Sequence, residues 1–124
     1  MSNNPTILVI DDDAMNREVM EAFLSSENYV VLLASNGKTG IDMANNNQPQ
    51  VIVLDVRMPD MSGFEVCAYL KGQAQTRHIP IMIVTGFDDR EDFEKGQSVG
   101  ANDFITRPFD GDDLLRRVRQ LISN

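Results

Sequence analysis

Three apolar runs in this chain show no alternation. Thr6–Ile10, Val51–Leu54 and Ile79–Val84 are rich in Val and Ile and nearly free of polar interruption. A strand of that kind has to be covered on both faces, which is the situation inside a parallel sheet flanked by helices. Tyr29–Leu33 and Asp103–Ile105 complete a set of five runs. Segments of helical spacing follow each. Val19, Met20, Phe23 and Leu24 form one stripe behind Asp13, a suitable N-cap. Ile41 and Ala44 mark a shorter, more polar helix after Asn36-Gly37. Ser62 and Glu65 form a capping box that opens a third helix through Leu70. A fourth, from about Asp89 to Ser98, is poor in apolar residues and closes on Val99-Gly100. The fifth carries Leu114, Leu115, Val118, Leu121 and Ile122 on one face. Strand then helix, repeated with short connections, predicts an α/β fold. It is a single doubly wound parallel sheet of five strands with five helices and right-handed crossovers.

At 124 residues the chain suits one domain spanning 1–124. A domain of this size buries enough surface to fold without a disulfide or structural metal. The single cysteine, Cys67, reads as a small buried hydrophobe, and the single histidine, His78, as a surface loop residue. No apolar run reaches the ~18 residues of a membrane span, and the N-terminus has no signal-peptide pattern. The expected location is the cytoplasm, with no membrane association. A net charge of −8 argues against direct contact with nucleic acid and suits a basic partner or a bound cation.

In sheets of this type the ligand site lies beyond the carboxyl ends of the strands. The first strand ends in Asp11-Asp12-Asp13, the third in Asp55 and the fourth in Thr85-Gly86, and the fifth is followed by Thr106-Arg107-Pro108. Crowded carboxylates demand a counter-ion or raised pKa values. A hard divalent cation such as Mg²⁺ answers that demand, taking one or two carboxylates and leaving positions for phosphate oxygens. No Cys/His cluster exists for zinc. The combination reads as a phosphoryl-transfer site in which a carboxylate is the nucleophile. Arg107 and the Thr85 hydroxyl would face phosphoryl oxygens, with Gly86 leaving room and a backbone N–H beside them.

The stretches ILVIDDD, VIVLDVRMPDMSGFEV, IPIMIVTG and GANDFITRPF together resemble the receiver domain of two-component response regulators, a chemotaxis-regulator-like superfamily. FEVCAYLK and TRHIPIMIVT are similar to receivers of multi-domain regulators, including those joined to cyclic-dinucleotide synthases. The resemblance covers essentially the whole chain and implies a flavodoxin-like sheet of order 2-1-3-4-5. It implies that Asp55 is the phosphoacceptor. By the same resemblance Asp12 matches a direct Mg²⁺ ligand, Asp11 would hold the ion partly through water, and the backbone carbonyl of Arg57 would be a further ligand. Thr85 matches the switch hydroxyl and Phe104 the switch aromatic. The bond before Pro108 is typically cis in the family, which suits a tight strand-to-helix loop. Arg107 stands where the family has Lys. Its planar fork can bridge Asp55 or a phosphoryl oxygen, with both arms on one group. Arg57 and Phe87, each two residues past a site residue, would flank the path of an attacking water and slow hydrolysis of the aspartyl-phosphate.

The implied function is a phosphorelay switch rather than a conventional enzyme. The donor is a histidine kinase or histidine phosphotransfer protein, and the output an effector domain or downstream protein. The fourth helix, fifth strand and fifth helix form the face that changes. Asp88, Asp89, Glu91, Asp92 and Glu94 on one side, and Arg116, Arg117 and Arg119 on the other, could pair across a two-fold homodimer. Two readings compete. A pseudo-receiver that only binds partners has no need of Asp11, Asp12, Asp55 and Thr85. A Mg²⁺-dependent phosphohydrolase wants a second acid where Arg57 stands.

Overall fold

The computed structural model describes residues 4–86 and 90–123. The strands are β1 (Thr6–Ile10), β2 (Val30–Ala34), β3 (Val51–Asp55), β4 (Ile81–Gly86) and β5 (Asp103–Arg107). The helices are α1 (Ala14–Ser25), α2 (Gly37–Asn47), α3 (Gly63–Gly72), α4 (Arg90–Ser98) and α5 (Gly111–Ser123). All strands run parallel in the order β2-β1-β3-β4-β5. The five-by-five α/β sheet and its strand order are as expected. The chain leaves β1 for the edge at β2 and returns to β3, so strand order reverses between β1 and β3.

The unbroken apolar runs are the inner strands. β3 is buried throughout, β1 from Ile7 on, and β4 up to Thr85. Alternate residues feed opposite layers. Leu8, Ile10, Ile52, Leu54, Ile81 and Ile83 join Ala44, Val66, Cys67 and Leu70 on one face. Ile7, Val9, Val51, Val53, Met82 and Val84 join Met20, Leu24, Leu114, Val118 and Leu121 on the other. The edge strands β2 and β5 are only partly buried.

Several local expectations shift. β2 starts at Val30 rather than Tyr29. β4 starts at Ile81, because Ile79 N–H bonds the Thr76 carbonyl and Pro80 has no N–H to enter a ladder. β5 extends to Arg107, so Thr106 and Arg107 lie within the strand, opposite Thr85 and Gly86. In α1 only Met20 and Leu24 reach the sheet. Phe23 lies against the start of α5 instead, where a Cβ on Gly111 would come within 2.3 Å of its ring.

The caps hold as read. Asp13 accepts from the Asn16 N–H, and the Ser62–Glu65 capping box is complete. Gly100 (φ 93°) closes α4, with its own N–H on the Gln97 carbonyl and that of Ala101 on Gly96. Cys67 is buried, burial pushes its thiol up to about 11, and His78 is exposed. Among the described residues no helix is long and apolar enough to cross a membrane.

Candidate functional site

Ile10 and Leu54 stand side by side in the sheet, so the next residues, Asp11 and Asp55, emerge together at the point where strand order reverses. Asp11 is 2% exposed and Asp55 5%, while Asp12 is open to solvent. One carboxylate oxygen from each of the three lies within 4.8 Å of the others. Burial raises the pKa of Asp11, against the pull of the Asp13 N–H and of Arg107. Burial also raises that of Asp55, and the charge of Asp11 adds to it while Arg107 opposes.

Arg107 is the built-in counter-ion. Its Nη1 donates to Asp55 Oδ1 at 3.1 Å and its Nη2 to Asp11 Oδ2 at 2.6 Å. The fork is therefore divided between two carboxylates, not spent with both arms on Asp55. A guanidinium can do this because it presents parallel N–H groups in a fixed plane. The Arg107–Pro108 bond is cis. The acidic loop is clamped locally: the Asp13 N–H donates to Asp11 Oδ1 at 3.0 Å, and Arg17 Nη1 donates to the Asp11 carbonyl at 2.8 Å.

Thr85 is 4% exposed at the end of β4. A Cβ on Gly86 would meet nothing within 4 Å, so the space expected there is present. Thr85, Phe93, Phe104 and Thr106 line a cavity of about 440 Å³ between α4 and β5. The Phe104 ring is half-buried against α4, 4.5 Å from that of Phe93. Phe87, Asp88 and Asp89 lie outside the described residues. Arg57 sends its side chain to α4, where Nη2 meets Asp92 Oδ2 at 2.8 Å.

Sequence reasoning missed how the loop after Asp55 is held. Asp60 accepts from the N–H groups of Gly37 and Lys38 at the start of α2, which lower its pKa. Gly63 abuts the backbone of Asp55, and a Cβ there would lie 2.3 Å from the Asp55 carbonyl oxygen. The signal available was the second acid and the glycine in MPDMSG, but neither partner is legible without the fold. The acidic face of α4 also differs from expectation. Asp92 is 5% exposed, turned inward to Arg57. Arg117 pairs with Asp103 and Asp113, Arg116 with Asp113, and Arg119 with Glu27.

Three converging carboxylates offer only oxygen, the donor set of a hard cation. A sequence profile of the response regulator receiver domain matches residues 7–119. The chain belongs to that family. Response regulator PleD of Caulobacter vibrioides is 46% identical to this receiver domain over 115 residues, 93% of the chain and 25% of PleD. Response regulator MprA of Mycobacterium tuberculosis is 39% identical over 116 residues, 94% of the chain and 50% of MprA. The chain thus spans a quarter to a half of the length of these curated relatives. Among solved structures, the receiver domain of the sensor histidine kinase PA1611 from Pseudomonas aeruginosa PAO1 matches with a TM-score of 0.91 at 28% identity. The match covers 98% of this chain and 99% of that one, which has a magnesium ion coordinated in its active-site cleft. A receiver domain is a self-modifying signalling module rather than a conventional enzyme. The Asp11, Asp12 and Asp55 cluster of this one is poised for Mg²⁺-dependent phosphoryl transfer.

Proposed function

We propose that this receiver domain takes a phosphoryl group onto Asp55 from a phosphohistidine on a histidine kinase or histidine phosphotransfer protein. The observation that carries this is the meeting of buried Asp55 with Asp11 and Asp12 within 4.8 Å, at the reversal of strand order. Asp12, Asp11 partly through water, Asp55 and the Arg57 carbonyl would hold Mg²⁺, which when bound neutralises charge on the phosphoryl oxygens. An Asp55 carboxylate oxygen attacks phosphorus in line. The P–O bond forms as the P–N bond breaks, and the freed imidazole takes up a proton. Arg107 already lies beside the acceptor oxygen and stabilises the added charge. Thr85 then donates its hydroxyl to a phosphoryl oxygen, and Phe104 moves with it, using the cavity they share.

The output is a change in the α4–β5–α5 face, read by an effector domain or a downstream protein in the cytoplasm. In an isologous dimer through that face, the arginines of α5 would exchange their intrachain partners for those of a second copy. A monomeric mass with a phosphate mimic bound would reject the dimer and leave the acceptor role intact.

The test of the acceptor is incubation with Mg²⁺ and a phosphorylated kinase or a small phosphodonor. The expected product is one acid-stable, base-labile phosphate per chain, absent in Asp55→Asn. An unlabelled wild-type chain would reject this reading in favour of a partner-binding module. Arg57→Ala or Phe87→Ala is expected to shorten the life of the phosphate. An unchanged lifetime rejects their role in shielding it.

A further inference from the structure

Of the nine residues of α4, only Asp92 and Gly96 are buried. The helix is therefore not docked by an apolar stripe. Gly96 brings its backbone onto the Phe104 ring, where a Cβ would lie 2.3 Å from the ring edge, and Phe93 stacks on the same ring. Asp92, 5% exposed, is held at 2.8 Å by Arg57, two residues beyond Asp55. The buried attachments of α4 thus run to the acceptor loop, to Phe104 and, through Gly96, to Ile83 of β4.

We propose that the Arg57–Asp92 ion pair is a strut that stabilises the α4 position belonging to unmodified Asp55. Arg57 is then a positioning residue through which the acceptor loop sets the helix. The proposal rests on Asp55 being the acceptor. Asp92 is buried while the Arg57 side chain is 69% exposed, and both have further partners, so taking Arg57 away weakens the seat of α4 without emptying it. A phosphoryl group brings roughly two negative charges to the neighbouring position and competes for the guanidinium. Loss of the pair then loosens the first turn of α4. Because coupling is reciprocal, removing the strut from the helix side makes the acceptor easier to modify.

The experiment measures calorimetric binding of beryllofluoride with Mg²⁺, together with hydrogen exchange over residues 90–98. Wild type is compared with Asp92→Asn, Arg57→Met, Arg57→Lys and the double variant Arg57→Met/Asp92→Asn. Asp92→Asn and Arg57→Met are each expected to bind about fivefold more tightly. The effect of the double variant should fall short of the product of the two single effects, and Arg57→Lys should stay near wild type. Without ligand, residues 90–98 should exchange faster in both single variants. Unchanged or weaker binding in Asp92→Asn, unchanged exchange, or additive effects in the double variant would overturn the strut. Wild-type binding that survives Asp55→Asn would overturn the acceptor reading beneath it, a result distinct from all of these.

Discussion

Burial at the end of β3 raises the pKa of Asp55, Asp11 raises it further, and Arg107 offsets part of the rise. Asp11 is raised by its own burial. Both groups hold a proton more tightly folded than unfolded. Their contribution to stability is complete below the usual 3.8 and is lost as pH rises through their raised folded values. Asp55→Asn removes one of these ionised groups and leaves Arg107 paired with Asp11. It is expected to be more stable at pH 7, with a higher melting temperature and a margin that shrinks toward pH 4. Thermal melts across that range check it. Asp60 has the opposite sign. The Gly37 N–H lowers its pKa, so its contribution is present at neutral pH and is lost as pH falls. Gly63→Ala should cost roughly 1–3 kcal/mol, because its Cβ would run into the Asp55 carbonyl. Since that backbone carries the proposed acceptor, urea melts and the rate of labelling should both change.

The two helices on the proposed output face are anchored by different means. α5 buries Leu114, Val118 and Leu121 against β1, β3 and β4, together with α1. Leu114→Ala should cost roughly 2–5 kcal/mol in a urea melt, the range for emptying a fully buried leucine site. α4 has no such stripe and is held by an ion pair and by the Phe104 contact. Hydrogen exchange should therefore open residues 90–98 at a lower free energy than α5. Equal protection in the two helices would contradict this. That contrast is partly legible in the sequence. The spacing of Leu114, Val118 and Leu121 marks a stripe, and the shortage of apolar residues in α4 marks its absence. Asp92 was not legible. On a polar helix it reads as one more solvated acid, and only the placement of Arg57 turns it inward.

Across the whole molecule, the acidic edge makes stability depend on cations. Mg²⁺ binds the folded arrangement of Asp11, Asp12 and Asp55 and not the unfolded chain, so saturating Mg²⁺ should raise the melting temperature. At a hundred times the dissociation constant the gain is about 2.7 kcal/mol. Chelation should reverse it, and Asp12→Asn should largely abolish it. The architecture is legible in the sequence alone. Unbroken Val/Ile runs require cover on both faces, and five strand–helix repeats with short connections leave one economical sheet. The sequence also placed Asp11, Asp12, Asp55, Thr85 and Arg107 at strand ends, since each stands within two residues of the end of an apolar run. Tertiary structure decided what those residues touch. The Arg107 fork joins Asp11 and Asp55 across 96 and 52 residues of sequence, Asp60 reaches back 23 residues to the Gly37 N–H, and Arg57 meets Asp92 across 35. Local periodicity reports which face a side chain takes over a few residues. It holds no record of which distant charge will meet it, because that depends on how the strands stack into one sheet.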